Sequence, residues 1–172
     1  PTMTTPTHRL LIVFYDKVPS ATQVHLALKD YAGVSRAALA TKNTRSEKAA
    51  MWTRDPLGCL PTGRLSVDAD SQVIAALAGS PLAASLGGVA YLCDGTTPLQ
   101  PTLTVGEAFL GTLQLCCFQR RAGLSAAALK QYWLDEHTTV ALNTQNTLGY
   151  HQNRVINGGE PHFDGIVEET TM

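Results

Sequence analysis

Residues 9–41 read RLLIVFYDKVPSATQVHLALKDYAGVSRAALAT, and this stretch decides the fold. Its first part, Arg9–Asp16, is dense in β-branched and aromatic residues, which predicts a strand. Apolar residues at helical spacing then predict a helix over Pro19–Tyr31, closed by Gly33. A second strand is predicted over Ser35–Thr41. The chain therefore opens with a strand, a helix and a strand.

The remainder of the first half completes a six-element unit. Asn43–Gly63 shows no sustained period and is interpreted as a long loop of the kind that forms functional lids. Further elements are predicted as a strand at Arg64–Val67, a helix at about 71–78 capped within Asp68–Ser71, and a strand at Val89–Cys93. Residues 9–95 thus predict one domain of element order βαββαβ.

The second half repeats the opening of the first. Residues 96–107, which begin TTPLQPT, are interpreted as a linker because two prolines interrupt any apolar period. Beyond it, residues 108–172 predict a strand at about 108–120, a helix at 125–143, and strands at 149–156 and 163–169. This β, α, β, β order matches the first unit. We expect the second unit to be incomplete at Met172, either completed by other protein or missing a helix and a strand.

The composition excludes several classes of function. The 172 residues carry 13 basic and 14 acidic side chains, a net charge of -1, spread along the chain rather than in a stripe that would bind nucleic acid. The longest apolar run, Leu10–Tyr15, is too short to span a bilayer. Four cysteines without a CxxC spacing suit a reducing compartment, so a cytoplasmic protein is expected. Together, the charge distribution and the short apolar run predict neither a nucleic-acid nor a membrane partner.

The specific sequence signals lie between residues 117 and 169. They read CFQRRAGLSAAALKQYWLDEHTTVAL, GYHQNRVI and FDGIVEE: a strand ending in basic residues, a Gly-Leu-Ser helix start, Tyr-Trp followed by His, Tyr-x-Gln-Asn, and Phe-Asp-Gly. This string resembles the EthD family. The resemblance implies an α+β fold of ferredoxin-like units (βαββαβ) that form an α/β barrel by repeat fusion, by dimerisation, or by both. Its superfamily includes cofactor-free cyclases, isomerases, dehydratases and decarboxylases acting on polyketide or small aromatic substrates.

His137 is the first candidate catalytic residue. A rotation of about 100° per helical residue places Leu129, Trp133, Glu136, His137 and Val140 on one stripe, so His137 is expected to point toward the core. A core histidine bonded to backbone would look the same. The EthD resemblance favours a role toward ligand, in which the imidazole acts as a general base near neutral pH without a cofactor.

The strand at 149–156 carries polar groups on both faces. Tyr150 could protonate a developing enolate, while Gln152 or Asn153 could hold a carbonyl; ordinary cross-strand hydrogen bonding is the alternative. Asp-Gly at 164–165 is by itself a turn signal. The resemblance instead places Asp164 on a strand, where it would orient His137 or contact ligand.

Aromatic residues complete the candidate site. Tyr132, Trp133 and Phe118 are assigned to the substrate-binding wall, although Tyr132 and Trp133 suit a core equally well. His137, His151 and His162 lack metal-ligand spacing, so no metal is predicted. No nucleotide, phosphate or nucleophile-elbow motif occurs.

The sequence therefore predicts a cofactor-independent lyase, cyclase or isomerase that acts on an aromatic or polyketide-like small molecule. His137, Tyr150 and Asp164 form its predicted catalytic set. A non-catalytic ligand-binding or accessory protein is the alternative. Exposed sheet edges on the short second unit favour a homodimer.

Overall fold

A computed structural model describes residues 6–43, 57–144 and 146–172 of the chain. The strands are β1 Pro6–Phe14, β2 Val34–Thr41, β3 Gly63–Ala69, β4 Val89–Leu99, β5 Thr112–Phe118, β6 Gly149–Gly158 and β7 Gly165–Thr171. The helices are α1 Ala21–Leu28, α2 Ser71–Ala78, α3 Leu82–Leu86, α4 Ala126–Lys130, a π-helical segment Gln131–His137, and α5 Thr138–Thr144. The strands pair antiparallel in the four strand pairs β1–β3, β2–β3, β5–β7 and β6–β7, and helices connect some of them, so the predicted α+β class is confirmed.

Residues 8–93 and 157–161 form the N-terminal unit. Its strand order is β2-β3-β1-β4, and β3 pairs antiparallel with both β1 and β2. Alternate residues of β1, namely Leu10, Ile12 and Phe14, are 0% exposed and pack with Leu65 of β3 and Ile74 of α2. Leu11 and Val13, which project from the opposite face, are also 0% exposed, so β1 is buried on both faces.

Local hydrogen bonds explain where the helices of this unit begin. The Ser20 hydroxyl accepts from the Gln23 N–H at 3.1 Å, and the Gln23 side chain accepts from the Ser20 N–H at 2.8 Å, which is a complete capping box. Asp70 caps α2 by accepting from the N–H groups of Gln72 and Val73. Both caps satisfy backbone donors that a helix start leaves unpaired.

Among the described residues, the C-terminal unit consists of 6–7, 94–144, 146–156 and 162–172. The distal part of β4 begins the strand order β4-β6-β7-β5. Both β5 and β6 pair antiparallel with β7, so β7 lies between them. Trp133, which is 5% exposed, packs edge-on against Phe118 with ring centroids 4.8 Å apart.

Several predicted boundaries change. β4 runs to Leu99, so the first residues of the predicted 96–107 linker are strand rather than linker. The helix α3 was not predicted, and the helix predicted over 125–143 contains the π-helical segment. The predicted lid at Asn43–Gly63 lies mostly outside the described residues. No helix in the described ranges has both the length and the apolar character needed to cross a membrane.

Candidate functional site

The register of the C-terminal unit separates its polar residues onto two faces. On β6 and β7, Tyr150 lies opposite Glu169 and Gln152 opposite Val167, whereas His151 lies opposite Glu168. Directly opposed residues project on the same side of a sheet. Tyr150 and Gln152 therefore share one face with Glu169, and His151 and Glu168 share the other.

Gln152 is buried against the π-helical segment. Its Nε2 donates to the Trp133 carbonyl at 3.0 Å, and its Oε1 accepts from the hydroxyls of Thr96 at 3.1 Å and Thr138 at 2.6 Å. The Thr138 hydroxyl also lies 2.8 Å from the Leu134 carbonyl, so one proton serves two acceptors. The predicted substrate-binding role of Gln152 competes with this structural role, because its amide is already engaged on both atoms.

The opposite face holds a second polar group. Asn153, 2% exposed, donates through Nδ2 to the Ile166 carbonyl at 3.0 Å and to Glu168 Oε2 at 2.9 Å. Nδ1 of His151 lies 3.0 Å from the Thr97 hydroxyl. Asn153 thus supports the β6–β7 pair, which is the ordinary cross-strand alternative foreseen for this strand.

The prediction that His137 points toward the core is wrong. His137 is exposed, its ring stacks on that of Tyr132 at 6.3 Å, and Val140 is 56% exposed. Within the π-helical segment, Trp133 is buried and His137 is exposed, so the two residues do not share a buried stripe. Tyr132, predicted as cavity wall, is 61% exposed.

Tyr150 is buried, at 3% exposure. Burial raises the pKa of its phenol, and the negative charge of Glu169, which lies opposite it, and the nearby Cys116 raise it further. The hydroxyl therefore stays protonated well into the alkaline range. This keeps Tyr150 a hydrogen-bond donor but makes it a weaker acid than a solvated tyrosine.

The Asp164 carboxylate contacts two residues, Arg120 and His162, that the sequence analysis did not pair with it. Its Oδ2 accepts from the Arg120 backbone N–H at 2.8 Å, and its Oδ1 lies 3.3 Å from Arg120 Nε. His162 Nε2 lies 3.6 Å from the same Oδ1. Two predictions for Asp164 are wrong. It does not lie on a strand, because β7 begins at Gly165, and its side chain contacts His162 and Arg120 while His137 stacks on Tyr132.

Residues 162–164 lie just before β7 and are not part of a strand. His162 and Asp164 contact each other, and Phe163 lies between them in the sequence. Phe163 is 4% exposed, whereas His162 has a side chain 60% exposed. Burial of Phe163 therefore presents the imidazole and the carboxylate together at the surface.

The turn after β5 places Arg120 and Arg121 beside Asp164. Arg120 donates through Nη1 to the Leu124 carbonyl at 3.1 Å, and the Leu124 N–H bonds back to the Arg121 carbonyl. Gly123 in this turn has φ 85°, a left-handed conformation that glycine adopts without strain. Arg120 is thereby held against Asp164, while the Arg121 side chain is exposed beside it.

These residues surround an open surface depression, hereafter the His162 depression. Its volume is about 570 Å³, within the usual range for small-molecule sites. It is lined by Gln119, Arg120, Arg121, Ala122, Gly123, Leu124, Ser125, His162 and Asp164. Two arginines against one carboxylate leave the lining net positive, which suits a ligand with an acidic or enolisable group.

The structure brings together only part of the predicted site. Trp133 and Phe118 touch each other, and Gln152 binds the Trp133 backbone, but none of these lines the His162 depression. Asp164 does. The sequence interpretation missed His162 and Arg121, although the spacing His-x-Asp within PHFDG was a usable signal.

No metal centre is formed by the described residues. Among them, no group of three or more His, Cys, Asp or Glu side chains is arranged to hold a metal ion. Comparison of the chain with protein-family models, curated proteins and solved structures finds no match.

Proposed function

We propose that this chain is a small cofactor-independent enzyme of lyase, cyclase or isomerase type, acting on an aromatic or polyketide-like compound by histidine acid–base catalysis. One observation carries the proposal: His162 Nε2 lies 3.6 Å from Asp164 Oδ1 in a depression of ligand size with two arginines at its side. An imidazole next to a carboxylate is the usual arrangement of a general base.

His162, rather than His137, is assigned the proton transfer. Both imidazoles are exposed, but His137 stacks on Tyr132, whereas His162 is beside a carboxylate within a concave site. A neutral imidazole that directs its Nε2–H toward Asp164 leaves Nδ1 as the proton acceptor. Catalytic hydrogen bonds in unliganded sites are often long and shorten when substrate binds.

The arginines supply the electrostatic part of the proposed mechanism. His162 Nδ1 removes a proton next to the substrate carbonyl, and the electron pair moves onto the carbonyl oxygen to give an enolate. Arg121, which is exposed at the depression, stabilises that negative charge, while Arg120 holds Asp164 in place. His162 then returns its proton to carbon at a new place in an isomerase, to the leaving group in a lyase, or, in a cyclase, to the alkoxide formed when the enolate carbon attacks a second carbonyl of the same substrate.

The family placement is part of the same proposal. We propose EthD-like, ferredoxin-like units on the strength of the Tyr-Trp, Tyr-x-Gln-Asn and Phe-Asp-Gly string. The order β2-β3-β1-β4 and the antiparallel pairing of β3 with both neighbours support it for the N-terminal unit. A cytoplasmic location, inferred from cysteine usage, belongs to this proposal as well.

A non-catalytic ligand-binding protein is the second candidate. The exposure of the His162 side chain, 60%, favours it, because an open site does not exclude water from a reactive intermediate. The two candidates differ in one respect: an enzyme converts the compound that it binds, whereas a binding protein releases it unchanged.

The experiment is a thermal-shift screen with phenolic acids, polyketide-like lactones and small diketones, followed by product analysis. Any compound present at 100 times its dissociation constant stabilises the fold by about 2.7 kcal/mol. The proposal predicts that His162→Ala still binds the compound but converts it roughly 100-fold more slowly or worse. His137→Ala, a matched exposed histidine, retains conversion. Binding without conversion by the wild type would support the binding protein instead.

A further inference from the structure

The ionisable side chains around the His162 depression carry a surplus of positive charge. Arg120 and Arg121 bring guanidinium groups, and Asp164 brings a single carboxylate. Because arginine stays protonated at neutral pH, one positive charge is left over even when the His162 imidazole is neutral. The other lining residues, Gln119, Ala122, Gly123, Leu124 and Ser125, are uncharged. A concave surface with an uncompensated cation attracts an anion.

Arg120 does not carry this surplus, because its side chain is engaged within the protein. Its Nε lies 3.3 Å from Asp164 Oδ1, and its Nη1 donates to the Leu124 carbonyl at 3.1 Å. Its backbone N–H also donates to Asp164 Oδ2 at 2.8 Å. The Arg120 charge is therefore compensated by a carboxylate at contact distance, and the pair as a whole is neutral.

Arg121 carries the surplus charge. Its side chain is exposed, and no hydrogen bond or ion pair joins its guanidinium to a residue in the described part of the chain. The backbone beneath it is fixed, because the Arg121 carbonyl accepts from the Leu124 N–H at 3.1 Å. A single exposed arginine is ordinary on a protein surface. Arg121 differs because it lines a depression of ligand size that also contains the proposed base, His162.

We propose that the ligand of the His162 depression is a small monocarboxylic acid, and that Arg121 determines this specificity by binding the carboxylate. The planar guanidinium presents parallel N–H donors that match both oxygens of a carboxylate. Ala122 and Leu124 offer apolar surface to the hydrocarbon part of the ligand. Lactones and diketones without a charged group leave the Arg121 guanidinium without a partner, so they bind more weakly.

This inference rests on the proposed function and narrows its substrate class. A guanidinium has N–H donors on more than one edge, so a carboxylate bound at one edge leaves donors for a carbonyl oxygen of the same molecule. The enolate charge of the proposed mechanism develops on that oxygen. The substrate is then an aromatic or polyketide-like acid that has an enolisable carbonyl besides its carboxylate. Arg121 holds the acid group, and His162 acts next to the carbonyl.

Binding of salicylate and salicylamide to the intact chain tests the role of Arg121. The compounds share a ring and a hydroxyl group, but only salicylate carries a carboxylate at neutral pH. Titration followed by NMR of the ligand should show that the wild type binds salicylate at least about fivefold more tightly. This ratio should fall as sodium chloride rises from about 0.05 to about 0.5 M, because salt screens exposed charges. Arg121→Gln should bring the ratio close to one.

Lys130→Gln is the matched control. It removes a positive charge from an exposed residue of α4 that does not line the depression, so the ratio should keep its wild-type value. Arg121→Lys keeps the charge but loses the planar fork, so it should give an intermediate ratio. If circular dichroism shows that Arg121→Gln unfolds the chain, Arg121→Lys and the salt dependence of the wild type decide.

Failure of this inference and failure of the proposed function give different results. The role of Arg121 would be overturned by equal binding of both compounds, by a ratio that Arg121→Gln preserves, or by no detectable binding of salicylate at about 10 mM. Each of these results would hold whether or not His162 catalyses a reaction. A ratio that depends on Arg121, in a protein that converts none of the acids it binds, would retain the ligand class and overturn the general-base function.

Discussion

Replacement of Gln152 by glutamate tests how the π-helical segment is held. The side chain is 0% exposed, and its Nε2 is the donor to the Trp133 carbonyl at 3.0 Å. Glutamate keeps the shape but exchanges that N–H donor for an oxygen. At neutral pH, a carboxylate oxygen would therefore face a carbonyl oxygen in a buried site, while Thr96 and Thr138 still donate to the other oxygen.

The magnitude follows from these contacts. A buried carbonyl left without its donor costs about 1–3 kcal/mol. Desolvation of the new carboxylate adds about 1.4 kcal/mol for each unit by which its pKa is raised. The Gln152→Glu chain should thus lose about 3 kcal/mol of unfolding free energy at pH 7.

The pH dependence has a definite sign. When protonated, the carboxyl group introduced at position 152 donates to the Trp133 carbonyl again, so its folded-state pKa is raised. The recovered stability is fully present below the unfolded-state pKa of about 4.3 and is lost as pH rises through the folded-state value. The deficit relative to wild type should therefore shrink toward pH 4 and grow toward pH 7.

Urea unfolding of both chains at pH 4, 5.5 and 7 measures this difference. Gln72→Glu on the exposed side of α2 is the matched control and should change stability by less than about 0.5 kcal/mol at every pH. A deficit for Gln152→Glu below about 1 kcal/mol at pH 7, or one that does not vary with pH, would refute the assigned contacts of Gln152.

Two further predictions concern the same unit. The raised pKa of Tyr150 gives stability that is fully present below about pH 10 and is lost as pH rises further. Tyr150→Phe should therefore flatten the fall in unfolding free energy between about pH 9.5 and 11. An unchanged slope would contradict the burial of the phenol. A Cβ added at Gly165 would meet the Phe118 ring and approach Trp133 to 2.8 Å, so Gly165→Ala should cost about 1–3 kcal/mol in urea unfolding. Gly79→Ala, whose Cβ makes only ordinary contact with the Ala75 carbonyl at 3.7 Å, should not show that loss.

The local elements were predictable because their signals are local. Dense β-branched and aromatic residues mark β1, and Ser20 with Gln23 marks the start of α1. β4 was cut short because Pro98 and its neighbouring threonines are typical of a linker. Only long-range pairing, with β6 on one side of the distal strand, keeps those residues extended.

The candidate site was less predictable because it depends on hydrogen bonds and contacts distant in sequence. Helical periodicity predicts one buried stripe for Trp133 and His137, but only Trp133 is buried. Gln152, which bonds the Trp133 carbonyl, comes from a strand whose register no local pattern sets. The Phe-Asp-Gly element identifies Asp164, and its partner His162 is only two residues away, but its other partner, Arg120, depends on how β5 meets β7.

The most direct measurement of the central claim is deuterium exchange into a bound ligand. A carbonyl compound from the thermal-shift screen is incubated with the protein in D₂O, and loss of its α-proton signal is followed by NMR. If His162 is the general base, wild type and His137→Ala exchange at the same rate, while His162→Ala is slower by roughly 100-fold or more. Equal exchange by His162→Ala and wild type, or its loss in His137→Ala alone, would contradict the account.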